Sequence, residues 1–481
     1  MTDNAQLLSV EKIGGTSMSD YATVRDNIFK ATPEHLYNRI FVVSAYGGMT
    51  DRLLEHKKTE HPGIYALFID ADDEDEWRNE LHSLRVYIHN LNAELFSNKE
   101  WLERANNFID QRLDDAENVL DNLRDLCRHG HFELEDHLLT IREMLASIGE
   151  AHSAWNTAHL LQLDGINARF VDLSGWKSQQ TWPLDELIVQ TFKDIDPSKE
   201  LPIVTGYAHC NEGLMATFDR GYSEMTFSRI VVMMQAHEAI IHKEYHLSSA
   251  DPAVVGDEHT VPIGRTNYDV ADQLANLGME AIHPRAAKGL RQNNISLRIK
   301  NTFEPEHQGT LITRDYLSSD PCVEIIAGRK SLHAIELFDQ DMVGTGDEYE
   351  ITLLDTFRRF HAQVVTMDIN ANTITHYLNC NLKTVRRIVK VLKERYTSAE
   401  ITTRKVAIVS AIGSYMKVPG LLAKAVRSLA DASISIIAMH QSMRQVDIQF
   451  IIDGESYQDA IRALHKSLIE PHDYGDAICT V

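Results

Sequence analysis

Residues 9–20, Ser-Val-Glu-Lys-Ile-Gly-Gly-Thr-Ser-Met-Ser-Asp, constrain this chain more than any other stretch. A short apolar strand carries one lysine, Lys12, inside its apolar end. It breaks at Gly14-Gly15 into the hydroxyl pair Thr16-Ser17 and enters a helix. Two residues without Cβ let backbone N–H groups close on an anion, and a following helix adds its positive N-terminal end. With the lysine charge beside them, these groups suit a phosphoryl group. A plain strand-to-helix turn with a snorkelling lysine would carry the same residues.

The rest of the chain extends that strand-turn-helix unit into an α/β domain. Strands are predicted at 39–45, 168–173, 201–205 and 239–242, alternating with helical patterns through the first 310 or so residues. Between 53 and 130 the pattern changes. Leu81, Leu84, Ile88, Leu91 and Leu95 recur at steps of three and four, followed by Leu102, Ala105, Ile109, Ala116, Leu120 and Leu123. Two amphipathic helices result, expected as a hairpin inserted into the domain and packed as a lid or against a partner subunit. From 323 onward a β-α-β-β order is read twice: a strand at 323–326, a helix at 351–360 and strands at 363–368 and 373–378. The second copy comprises 406–411, 420–430, 433–439 and 445–452, with a closing helix at 457–468. The expected domains are 1–314, 315–400 and 401–481, the last two forming an internal repeat of roughly 80 residues.

Composition narrows the function classes. The chain of 481 residues carries 70 acidic against 47 basic residues, a formal charge of −23. No basic face for a nucleic-acid polymer emerges from that balance. The five cysteines stand far apart with no C-x-x-C pair, which fits a reducing compartment and argues against a disulfide framework or a common zinc site. His129, His131 and His137 lie close together without an i, i+4 pair, so they read as a solvated turn. No apolar run is long enough to span a bilayer, so the expectation is a cytoplasmic protein with neither nucleic acid nor membrane as partner.

Further segments with hydroxyls, carboxylates and glycines follow Lys12 in order. They are Ser44-Ala-Tyr-Gly-Gly-Met-Thr50, Ser147-Ile-Gly-Glu150, Phe218-Asp-Arg-Gly-Tyr-Ser-Glu-Met-Thr226 and Asn301-Thr-Phe-Glu-Pro305. With Asp251-Pro252 and Gly278…His283-Pro284 between the last two, this collinear set resembles the aspartate kinases of the amino-acid-kinase superfamily. The repeat resembles the paired ACT domains that follow their catalytic domain. The phrases GYSEMTF, HKEYHLSSADP and GMEAIHPRAA are most similar to the branch of that family found with ectoine synthesis.

The resemblance implies an αβα sandwich followed by two ACT-type domains, and transfer of the ATP γ-phosphoryl group, with Mg2+, to the β-carboxylate of L-aspartate. It assigns Lys12, Gly14, Gly15 and Arg220 to catalysis. Thr16, Ser17, Ser44, Thr50, Glu150, Ser223 and Glu224 fall to aspartate, and His242, Lys243, Ser248, Asp251 and Glu280 to nucleotide. No resident metal is expected, and pairing of ACT domains implies a homodimer or higher homo-oligomer. A side-chain carboxylate with a pKa of about 4 is already ionised at neutral pH, so no general base is required. Departures from the family pattern cluster on the nucleotide side: His242-Lys243 replaces Thr-Asp, Ser248 a tyrosine, Ala253 an arginine and Glu280 a lysine. A catalytically weak ACT-based amino-acid sensor, or another member of the amino-acid-kinase superfamily acting on glutamate or a nucleotide, is the competing reading.

Overall fold

The computed structural model describes residues 7–31, 35–56, 61–69, 75–178, 180–218, 221–279, 281–472 and 475–479. The chain divides into two compact units, Met1–His246 with Ile282–Arg314, and Leu247–Ala281 with Asp315–Val481. Strands are numbered along the chain. The first unit holds β1 (Ser9–Ile13), β2 (Arg39–Val43), β3 (Ala168–Val171), β4 (Leu201–Thr205), β5 (Glu238–Lys243), β7 (Ser296–Asn301) and β8 (Thr310–Thr313). The second holds β6 (Arg265–Asn267), β9 (Ile325–Phe338), β10 (Gln363–Ile369), β11 (Thr373–Asn379), β12 (Glu400–Ile412), β13 (Ile436–Gln441) and β14 (Asp447–Asp453).

In the first unit the strands run β3-β4-β2-β1-β5-β7-β8. All neighbours are parallel except β7 and β8. Strand β4 is buried along its whole length and β2 from Ile40 onward, as strands covered on both faces should be. The helix Leu138–Leu163 packs along β2, β3 and β4, and the helix Tyr222–Met233 along β1, β2 and β5. The expected hairpin is present as helices Glu76–Leu95 and Lys99–Cys127, closed by Asn98, whose side chain caps the second helix. Its apolar stripe, including Leu81, Ile88, Ile109 and Leu120, is buried. Phe96 and Ala105 join Phe41, Ala154 and Ala158 in one core cluster, so the hairpin packs on this unit's own long helix. Arg112, on the second helix, ties it to the segment after β3 by donating to Asp172 and Ser174.

In the second unit one sheet runs β10-β11-β9-β12-β14-β13. Each repeat supplies three strands, and the repeats meet where β9 pairs antiparallel with β12. The two repeats share one compact unit, and residues 247–281, read from sequence with the N-terminal domain, belong to it as well. Ala250, Ile263 and Leu274 pack in the same cluster as Phe450 and Leu464, and the carbonyl of Ser249 accepts the Ile326 amide at 2.8 Å. The loop 413–416 is anchored by buried Glu324, which accepts the Ser414 amide at 2.8 Å and the Thr266 hydroxyl at 2.8 Å. All five cysteines are free, and no helix among the described residues is long and apolar enough to cross a membrane.

Candidate active site

The site forms where β1, β2 and β4 end, the carboxyl edge at which open parallel sheets bind ligands. Lys12, in register with Val42 and Ile241, is 7% exposed. The chain then turns at Gly14, whose amide donates to the His242 carbonyl at 3.3 Å and so still belongs to the sheet. Gly15 lies so close to the loop after β2 that a Cβ there would meet the Ala45 carbonyl oxygen at 2.6 Å. The helix Gly15–Met18 follows, so the Gly15 and Thr16 amides are first-turn groups without an intrahelical acceptor.

Three elements close around this turn. The loop after β2 is pinned to it by Ser19, whose hydroxyl accepts the Gly47 amide at 2.8 Å and donates to the Gly15 carbonyl. The helix Leu138–Leu163 presses Gly149 against that loop, where a Cβ would come within 2.9 Å of Ala45 and Met49 side chains. Ser153, on the same helix, donates to the Ser44 carbonyl at 2.8 Å. The start of the helix Tyr222–Met233 brings in Ser223. Together they enclose a cavity of about 260 Å3 lined by Gly15, Thr16, Ser44, Thr50, Glu150 and Ser223 among others.

Glu150 dominates this cavity. It is 2% exposed; Oε1 accepts the Ser223 hydroxyl at 2.6 Å, and Oε2 has no hydrogen-bond partner. Burial pushes its carboxyl up to about 8, although the Ser223 bond, the Lys12 charge and the nearby Tyr207 and Ala45 amides all pull the other way. Gly206, the residue after β4, makes room for it: a Cβ there would lie 2.7 Å from Glu150 Oε2. Gly206 and the Tyr207 amide are not found by sequence reasoning; the available signal is a glycine directly after a short strand that is apolar up to its last residue, Thr205.

The other expected site residues are distributed differently. Ser17 is fully buried, and its hydroxyl lies 3.0 Å from that of Thr302, so the Asn301–Phe303 segment braces the glycine turn from behind. Glu224 accepts the His283 amide at the start of the helix Pro284–Gln292. His242 is turned to Glu11, with Nε2 and Oε2 2.8 Å apart, while Arg39 grips Glu11 with two nitrogens at 2.5 and 3.0 Å. Burial alone would raise Glu11, but Arg39 and His242 hold it well below the usual carboxylate range. Burial lowers His242 against the pull of Glu11. Lys243 follows on the opposite face of β5, the face that carries Lys12. In the second unit Ser248 bridges to Pro262, and Asp251 caps the short helix Pro252–Val255. Arg220 and Glu280 lie outside the described residues. No group of three or more potential metal ligands occurs among the described residues.

With this geometry in hand, comparison with known proteins defines the class. Residues 8–301 match the amino acid kinase family and residues 409–468 an ACT domain. The chain belongs to the amino acid kinase family. Within it, the chain is 56% identical over 473 residues to the Stutzerimonas stutzeri protein named Aspartate kinase Ask_Ect, covering 98% of this chain and 99% of that one. Aspartokinase 1 of Arabidopsis thaliana is 24% identical, over 75% of this chain and 66% of its own. Among solved structures, E. coli aspartokinase III in complex with aspartate and ADP matches with a TM-score of 0.68 at 17% identity, over 96% of this chain and 100% of its own. The Clostridium acetobutylicum aspartate kinase matches at 0.70 and 18%, with the same coverage. These two structural likenesses concern the fold.

Proposed function

We propose that the chain is an aspartate kinase, moving the γ-phosphoryl group of ATP to the β-carboxylate of L-aspartate to give 4-phospho-L-aspartate. The observation that carries this reading is Glu150, a buried carboxylate with one unpartnered oxygen, facing a small polar cavity beside Lys12. Such a group is suited to the ammonium of an amino acid, and binding there would remove the proton that burial otherwise retains on it.

The rest follows from the charges that must be brought together. The nucleophile is an anion attacking a phosphoryl group ringed with negative oxygens, so the need is for donors and cations rather than a base. Lys12 supplies a full charge, and the Gly15 and Thr16 amides supply oriented dipoles. Ser44, Thr50 and Ser223 complete the polar shell of aspartate, and Arg220 is assigned its α-carboxylate, which guanidinium clasps with two parallel bonds. ATP enters as its Mg2+ complex, the ion held largely by phosphates and water. Lys243, on the face of Lys12, is assigned to nucleotide phosphates, and the family likeness assigns Ser248, Asp251 and Glu280 to nucleotide as well. Because its imidazole is engaged by Glu11, His242 acts on the nucleotide side through the backbone that bonds Gly14. The two repeats are read as ACT-type domains at 315–400 and 401–481 that pair between chains in a homo-oligomer. A cytoplasmic location and a role in supplying ectoine synthesis extend the likeness to the Stutzerimonas stutzeri relative.

The test is aspartate-dependent release of ADP with trapping of the product by hydroxylamine. An acyl hydroxamate formed with L-aspartate and not with L-glutamate supports the assignment. ADP release that ignores aspartate, or a glutamyl product, would sink it.

A further inference from the structure

A second cavity, larger than the one at Glu150, lies wholly within the first unit at about 410 Å3. It is bounded by the second hairpin helix, the N-terminal half of Leu138–Leu163 and the segments after β3 and β4. Its size falls in the range of small-molecule sites, and its walls combine apolar bodies with a few convergent polar groups. Val119, Met144 and the rings of Trp176 and Tyr207 supply the apolar surface.

The charges that line it do not cancel. Asp115 is neutralised, because Lys177 Nζ lies 2.8 Å from its carboxylate and the Trp176 indole donates to it at 3.0 Å. Among the described residues Glu143 has no such counterion. It is 9% exposed, and the groups that donate to it are neutral: the Tyr207 hydroxyl at 3.2 Å and the Met215 amide at 3.2 Å. Two long neutral hydrogen bonds compensate a buried carboxylate poorly, whereas a cation placed on it does so well. An aromatic wall nearby favours the same sign of ligand, because ring faces attract cations.

We propose that this cavity is a binding site for a small organic cation, an amine or amidine with a compact apolar body, seated on Glu143. The site is wired to the first cavity by two routes. Glu143, Ser147 and Glu150 lie at spacings of four and three on one helix, hence on one face. Tyr207 bonds Glu143 through its hydroxyl, while its backbone amide and the adjoining Gly206 face the Glu150 carboxylate. A cation that draws Glu143 away from Tyr207 therefore alters the wall against which Glu150 rests, and by linkage aspartate alters affinity for the cation by the same factor.

Benzamidine and benzoate, nearly identical in shape and opposite in charge, are suitable probes. Calorimetric titration of the full chain, with L-aspartate present to occupy the Glu150 cavity, is expected to register benzamidine at about millimolar Kd and benzoate at least about tenfold weaker. Glu143→Gln, which can still accept the Met215 amide and donate to the Tyr207 oxygen but removes the charge, should cost about tenfold or more in benzamidine affinity. Val119→Trp, at a position 45% exposed on the hairpin, should fill the cavity and abolish binding without touching Glu143. If Glu143→Gln fails to fold, the Val119→Trp result decides alone. The proposal is overturned by equal binding of the two probes, by benzamidine binding that survives Val119→Trp, or by no benzamidine binding up to about 10 mM.

Discussion

Two carboxylates lie buried at the centre of the first unit, and their surroundings are opposite. Glu11 is 3% exposed and Glu150 is 2% exposed, so burial penalises both alike. Glu11 has every need met within the fold: a histidine and one two-pronged arginine, Arg39, that itself donates to the carbonyls of Ile28 and Phe29. Glu150 has a serine, the Tyr207 and Ala45 amides and a lysine charge nearby, but no charged group among the described residues in contact with it, and Oε2 makes no hydrogen bond of good geometry. The difference separates architecture from readiness. A finished charge cluster ties β1, β2 and β5 to one another, and an unfinished one waits for a ligand to complete it.

The comparison is broken most forcefully by removing one member of the finished cluster. Arg39→Met leaves Glu11 buried without its main counterion and should cost about 3–5 kcal/mol of stability. Chemical denaturation checks this, and a loss below about 1 kcal/mol would mean that water or His242 replaces the arginine. Lys12→Ala should spare stability and lower kcat by about 10²-fold or more, with little change in KM for aspartate. Near-normal turnover would remove Lys12 from the phosphoryl site.

Glu150→Gln should leave the fold intact and raise KM for aspartate by about tenfold, since an amide cannot pair with an ammonium. The same variant tests the pH logic. Because its folded carboxyl is raised to about 8, Glu150 contributes stability that is fully present below the usual carboxylate range and is lost as pH rises through about 8. Glu11, held low, contributes stability present above the usual range and lost as pH falls. Thermal melts across pH should therefore show Glu150→Gln gaining on the parent toward alkaline pH, while Glu11→Gln falls behind at neutral pH and converges with it in acid. Parallel profiles for all three proteins would contradict both assignments. The smallest effect is expected in the second unit. The first turn of the helix Gly346–Arg359 carries Asp347 and Glu348, which oppose capture of an amino-acid carboxylate by helix-terminal amides. Lysine or threonine given singly should inhibit weakly or not at all, and strong inhibition by either alone would show that the acidic turn is bypassed.

What could be read in the sequence followed the range of the forces involved. The glycine turn after β1, the hairpin helices and the order of the two repeats rest on local periodicity and turn chemistry, and all three are present. The apolar pattern predicts a four-residue strand at 323–326 where β9 spans fourteen residues, because Arg329, Lys330 and Ser331 interrupt that pattern. At that point the chain turns to positive φ at Ser331, and the pairing with β12 shifts register. The Glu11 cluster was invisible for a different reason. Its partners lie 28 and 231 residues away, and the sequence near Glu11 says only that a charge interrupts an apolar strand. His242 was assigned to nucleotide from its place in a motif, whereas its side chain is committed to a contact that no local pattern encodes.

Gly206 has a consequence for heredity. A methyl group there would press on Glu150 Oε2 at 2.7 Å and Ser223 Cβ at 2.9 Å, whereas one at Gly130 would meet nothing within 4 Å. In a library of random variants selected for growth, position 130 should drift through most of the amino-acid alphabet while position 206 stays glycine. A position that contributes no side-chain atom at all would then be among the most stringently policed in this site.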